Sequence, residues 1–231
     1  DQICLFTEDG LCLKAEKLLL SAGRKADLRD LDLDRAGVRH DEWGIKVDDR
    51  YRTSVRHIYA VGDCNNGILL SHAAMLQGML ALMNAVSPLG MFRFRQYVIP
   101  WTVFTEPQVS YVGALEAYLK KKGVKYRTIT ARYEDYGAAI AENVGVGWIK
   151  VFVSPLGRVY GASIVGDGSG EMINEWALVI QKKISLFSIL FLAHSFPTIG
   201  FLSKRIAETW MMEMMESPFL KKMCQFLYRR M

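Results

Sequence analysis

The chain has 231 residues, 51% of them hydrophobic and 23% charged, with ordinary glycine and proline counts of 19 and 6. These proportions exclude a disordered, collagen-like or low-complexity chain and leave a folded protein of one large domain or two small ones. The formal charge is +5, yet Lys221, Lys222, Arg229 and Arg230 fall within residues 217–231 with no acid beside them. The remainder is close to neutral, so no nucleic-acid partner is expected.

The apolar runs 68–82 and 184–193 are interrupted by polar residues or glycine and fall short of the roughly 20 residues a membrane-spanning helix needs. Cys4, Cys12, Cys64 and Cys224 lack metal-ligand or short redox spacing, so neither a disulfide framework nor a zinc site is expected, and a reducing, cytoplasmic setting is the default. The chain opens on Asp1 without a signal-type segment.

In chain order, Ile3 to Thr7 and Leu11 to Lys14 read as strands around the turn Glu8-Asp9-Gly10, and Lys17 to Ser21 as a third. So small a meander cannot bury both faces and is expected to finish a domain that begins upstream. Residues 30–56 are polar and turn-rich, with a short strand at Gly44 to Val47. Ile58 to Val61 reads as an apolar strand ending in Gly62-Asp63, followed by an apolar helix from about Leu70 to Val86. That is the strand, loop and helix order of a parallel α/β sheet.

Beyond Pro100 the pattern changes. Strands are predicted at Trp101 to Phe104, Val109 to Val112, Lys125 to Thr130, Trp148 to Val153 and Val159 to Val165, with a helix at Leu115 to Lys122. Ser154-Pro155-Leu156-Gly157 has the residues of a type I turn and makes the last two strands a hairpin. A helix over Gly170 to Lys183 puts Met172, Ile173, Trp176, Ala177 and Ile180 on one side, and another follows Pro197 with Leu202, Ile206 and Trp210 four apart. This half is expected to be α+β, an antiparallel sheet with helices on one side.

Gly62-Asp63 carries the chemistry. At the carboxyl end of a strand, glycine permits close backbone approach and aspartate accepts from a polyol hydroxyl, although the same two residues also serve as a plain turn. The whole run Thr53-Ser54-Val55-Arg56-His57-Ile58-Tyr59-Ala60-Val61-Gly62-Asp63 resembles the second flavin-binding motif of the pyridine nucleotide-disulfide oxidoreductases. Ser21-Ala22-Gly23-Arg24, Val103-Phe104-Thr105-Glu106-Pro107, Val112-Gly113, Gly161-Ala162, Val165-Gly166 and Gly170-Glu171-Met172-Ile173 match the family in order.

The resemblance implies that residues 1–23 end an NAD(P)-binding domain, 24–95 form the C-terminal part of an FAD-binding domain, and 96–216 form a dimerisation domain. The first two would be C-terminal fragments of Rossmann-like α/β domains. It implies FAD as cofactor, with NADH or NADPH as reductant, and a homodimer. Asp63 would bond the ribityl chain and Gly62 give the cofactor room. Leu70, Ser71, His72 and Ala73 would start the helix whose N-terminal N–H groups face the flavin pyrimidine carbonyl.

Two departures qualify this. No Gly-x-Gly-x-x-Gly phosphate loop and no cysteine pair four residues apart occur, so the chain is expected to be the C-terminal half of such a flavoprotein, inactive and poor at holding FAD alone. At the family's acid/base His and orienting Glu stand Phe196 and Phe201, and phenylalanine holds no transferable proton. His194, two residues earlier, is the remaining catalytic candidate, against a structural role. The acceptor is expected to be a small molecule other than dihydrolipoamide or glutathione disulfide. The alternative is a non-catalytic dimerisation module whose basic amphipathic tail, 217–231, contacts a membrane surface or protein partner.

Overall fold

A computed structural model describes residues 2–87, 89–218, 221 and 225 and divides into two compact units, 1–92 and 93–231. Of the basic amphipathic tail, 217–231, only residues 217, 218, 221 and 225 are among the described residues. None of the described helices is long and apolar enough to cross a membrane.

In the first unit, β1 (Ile3–Phe6) and β2 (Cys12–Ala15) pair antiparallel, with Cys4 opposite Lys14 and Phe6 opposite Cys12. Alternate residues of a strand share a face, so this register sets Cys4 and Cys12 diagonally on one face. They form a disulfide with Cα atoms 5.9 Å apart. The expectation of no disulfide is corrected here: the bond arises from strand register, which cysteine spacing does not reveal.

The expected third strand, Lys17 to Ser21, is also absent; Leu19 and Leu20 stand exposed. A strand needs a ladder partner, and β1 and β2 satisfy each other. The same reason corrects two others. Gly44 to Val47 makes one bridge, His40 to Ile45, and Ile58 to Val61 makes one, Arg52 to Tyr59, both antiparallel, so neither is a ladder strand among the described residues. Val38, Ile45 and Ala60 form the small core of this unit. Helix α1 (Ser71–Val86) buries Ala73, Gln77, Leu80, Ala81 and Asn84, a stripe at helical spacing.

The second unit is built on a five-stranded antiparallel sheet. Its elements in chain order are β3 (Trp101–Val103), β4 (Val109–Gly113), α2 (Glu116–Lys121), β5 (Arg127–Arg132), α3 (Gly137–Ala141), β6 (Trp148–Val153) and β7 (Val159–Val165). Helices α4 (Ser169–Gln181), α5 (Leu186–Leu190) and α6 (Leu202–Met215) follow. The sheet order is β3-β4-β7-β6-β5. Alternate residues Ile149, Val151 and Val153 of β6, with Ala162 and Ile164 of β7, are buried in one cluster with Ile173 and Trp176 of α4 and Ile206 and Trp210 of α6. Helix α4 covers β3, β4 and β7, and α6 covers β5 and β6. Fully burying each such side chain stabilises by about 1.5–3 kcal/mol, and this density of apolar burial makes the α+β unit the firmer of the two.

The β6–β7 hairpin closes through Gly157 N–H, which donates to Ser154 O at 3.0 Å. Gly157 sits at φ +83°, and a Cβ there would lie 2.8 Å from the Trp210 ring. Helix α5 has no counterpart in the sequence reading: at five residues it is too short for periodicity to register.

Candidate functional site

After extended Val61, residues Gly62–Asn65 form a single 3-10 turn. Gly62 adopts φ +77°, the left-handed region that glycine enters without steric cost. The space left by its missing side chain is bounded within this chain by Ala74, whose Cβ would lie 3.2 Å from a Gly62 Cβ. The glycine is therefore demanded by backbone conformation and by close approach of α1, in addition to any room it gives a ligand.

Gln77 locks this turn. It is 1% exposed, and its Oε1 accepts from Gly62 N–H at 2.7 Å and from Asn65 Nδ2 at 3.0 Å. Asn65 Nδ2 also donates to Ala60 O at 3.1 Å. Asn66 closes the turn in the left-handed region, its N–H donating to Asp63 O. The Cys64 thiol donates to Val61 O at 3.2 Å, and burial pushes its pKa above the ordinary thiol value.

Asp63 projects from the turn with a half-exposed side chain, and its Oδ2 lies 2.8 Å from Arg24 Nη1. Arg24 Nη2 donates to Leu69 O, so one guanidinium ties the carboxylate to the chain leading into α1. Leu70 is the N-cap residue of α1, extended at φ −129°, with no side chain able to accept from the first-turn N–H groups. Ser71 and His72 are exposed, while Ala73 is fully buried beneath them.

The residues expected to contact flavin are thereby brought together in one unit: Asp63 on its turn and Leu70 to Ala73 at the start of the helix that carries Gln77. A half-exposed carboxylate suits a hydroxyl-bearing chain, and a helix start without a side-chain cap suits a carbonyl or anion. This donor and acceptor set fits the ribityl and pyrimidine part of FAD.

The second unit holds the other candidate. His194 is mostly buried, at 11% side-chain exposure, with Nε2 3.0 Å from Glu175 Oε1 of α4 and Nδ1 3.3 Å from Leu192 O. Both ring nitrogens are engaged within the chain, the arrangement of a tether between residues 192–194 and α4. Phe201 stacks on Tyr136 with centroids 5.9 Å apart and meets Phe196 edge-on at 5.4 Å. The positions of the family's proton carriers are thus occupied by an aromatic cluster.

Sequence reading missed Arg24, Gln77 and Glu175 as positioning groups. Two of them left a signal. Arg24 ends a motif already matched, with charge opposite to Asp63, and Gln77 is a polar residue within the apolar stripe of a helix.

An α+β unit follows a glycine-aspartate turn at a helix start, and comparison with known proteins is specific. The family model described as pyridine nucleotide-disulphide oxidoreductase matches residues 1–78, and that of the family's dimerisation domain matches residues 99–204. A dihydrolipoyl dehydrogenase from Vibrio cholerae is 34% identical over 186 residues, covering 80% of this chain and 39% of that protein. The mitochondrial dihydrolipoyl dehydrogenase of Homo sapiens is 30% identical over 190 residues, 81% of this chain and 37% of that protein.

Among solved structures, LpdA from Mycobacterium tuberculosis superimposes with a TM-score of 0.79 at 27% identity, covering 91% of this chain and 46% of that one. The flavoprotein disulfide reductase RclA from Escherichia coli has the same fold, with a TM-score of 0.79 at 23% identity, covering 91% and 48%. The chain belongs to the pyridine nucleotide-disulphide oxidoreductase family, a family of oxidoreductases, and includes its dimerisation domain. It spans about two fifths of the length of the curated relatives it matches.

Proposed function

We propose that this chain acts as the C-terminal portion of an FAD-dependent NAD(P)H oxidoreductase, supplying one side of the flavin site and the surface through which two copies associate. The observation that carries the reading is the Gly62-Asp63 turn, locked by Gln77 beside the uncapped start of α1. FAD, when bound, supplies a ring that takes two electrons from NADH or NADPH and passes them to an acceptor.

The chain's own residues have narrower tasks. Asp63 accepts from a ribityl hydroxyl, and Arg24 holds that carboxylate in place. The backbone of Leu70, Ser71, His72 and Ala73 directs the positive end of α1 toward the pyrimidine side. Gly62 keeps α1 close enough for both to act together. His194 is retained as a proton-carrying candidate only if its bond to Glu175 opens.

The curated relatives are dihydrolipoyl dehydrogenases, but Phe196 and Phe201 support a different acceptor. A positioned acid–base group contributes about 10²–10⁴-fold, and turnover with dihydrolipoamide or glutathione disulfide is expected to fall short by that factor. The test assays the whole flavin-loaded oxidoreductase of which this chain is proposed to be the C-terminal portion, with both substrates, while following flavin reduction by NADH and NADPH. Flavin reduction with little disulfide turnover is expected; rapid dihydrolipoamide oxidation would overturn the acceptor assignment. Light scattering is expected to give twice the monomer mass, and a monomer at micromolar concentration would remove the self-association.

A further inference from the structure

A cavity of about 610 Å³ in the first unit lies between the hairpin of residues 50–59 and the end of α1. Its lining includes Arg50, Arg52, Arg56, His57 and Tyr59. We propose that it binds a soluble small molecule carrying two or more phosphate groups. The proposal does not rest on the flavin reading, which assigns none of these side chains a contact with the cofactor.

The chain gathers these groups by a simple rule. Arg52 pairs antiparallel with Tyr59, and alternate residues along paired segments share a side. Arg50 and Arg52 therefore line up with His57 and Tyr59, while Tyr51 turns inward and is buried. Asp48 fixes the turn that starts the hairpin, its Oδ1 accepting from the backbone N–H of Arg50 at 2.8 Å and of Arg52 at 3.0 Å.

One of the three arginines is paired with an acid. Asp48 Oδ2 lies 3.4 Å from Arg52 Nε, which is buried without a hydrogen bond. Among the described residues, Arg50, Arg56 and His57 form no ion pair. The Arg50 guanidinium lies along Gly90, where an added Cβ would come within 3.3 Å of Nη1.

The end of α1 does not cancel this charge. A helix C-terminus carries about half a negative charge that fades within a turn, against the two guanidinium groups of Arg50 and Arg56 that no acid among the described residues pairs. Asn84, on that wall, is already satisfied by both backbone groups of Phe92. Planar guanidinium groups match phosphate oxygens in bidentate geometry, and the volume is that of a small-molecule site. Two phosphates offer a bidentate partner to each of Arg50 and Arg56.

The test is calorimetric titration of the full 231-residue chain with inorganic pyrophosphate and with orthophosphate, at about 0.15 M salt to screen weak surface attraction. One saturable site is expected, tighter for pyrophosphate. Arg50→Ala and Arg56→Ala are each expected to weaken it about tenfold, and Lys125→Ala, in the other unit, to leave it unchanged. Arg50→Lys, which keeps the charge, separates loss of a contact from loss of fold and is expected to retain part of the affinity. Absence of saturable binding, or equal weakening by Lys125→Ala, would overturn the proposal. So would Arg50-dependent sedimentation with phosphatidic acid vesicles without pyrophosphate binding, which would make the source of phosphate a lipid headgroup.

Discussion

Gln77 shows how a single buried amide sets the geometry of the Gly62-Asp63 turn. Replacing it by leucine leaves Gly62 N–H without its acceptor in a closed position, a loss of about 1–3 kcal/mol. Denaturant unfolding of Gln77→Leu is expected to show that loss; a change within about 0.5 kcal/mol, the usual range for surface substitutions, would mean the turn does not depend on it. The tyrosines make a second residue-level statement. Burial pushes the Tyr111 phenol up to about 12, and it raises Tyr51 and Tyr133 as well. Since the folded state holds these protons more tightly than the unfolded chain, their contribution is complete below about pH 10 and is lost as pH rises toward 12. Absorbance of tyrosinate near 295 nm is expected to show part of the ten tyrosines ionising only with unfolding. Ionisation of all ten in one step near pH 10 would contradict the burial. Gly62 and Asp63 were legible from their motif because their neighbours in sequence matched. Arg24 and Gln77 were not, because each reaches them through the fold.

Elements divide by whether their partners are local. Strands β6 and β7 fall where alternation and the Ser154-Pro155-Leu156-Gly157 turn place them, since a hairpin brings its own partner. Lys17 to Ser21 and Ile58 to Gly62 have equally apolar sequences, yet neither becomes a ladder strand among the described residues, because hydrophobicity states that a segment is to be covered and not by what. The disulfide between Cys4 and Cys12 is hidden for a related reason, as it depends on register. The hairpin between β6 and β7 also ties the sheet to α5 and α6. Leu186 N–H donates to Gly157 O at 2.8 Å, and the turn lies on Trp210. Gly157→Ala meets both a left-handed φ and the indole ring, so a loss of about 1–3 kcal/mol is expected in thermal or denaturant unfolding. Wild-type stability in that variant would show that the hairpin does not bear on α6.

For the whole molecule, the α+β class of the second unit and the family were readable before any coordinates, because the motifs recur in order along most of the chain. The electron acceptor was not readable, since its chemistry rests on positions where this sequence has Phe196 and Phe201. The structure adds that these rings pack with Tyr136 and that His194 is tied to Glu175, which turns the departure from a pair of letters into an aromatic surface. The central claim is that Asp63 and the start of α1 form part of a flavin site. Its most direct test is titration of the chain with FAD, followed by quenching of flavin fluorescence, in wild type and Asp63→Ala. Weak but saturable binding is expected, reduced about tenfold by the loss of a charge-assisted hydrogen bond and unaffected by Asp41→Ala at a carboxylate elsewhere in the same unit. Equal affinity of wild type and Asp63→Ala would contradict the account.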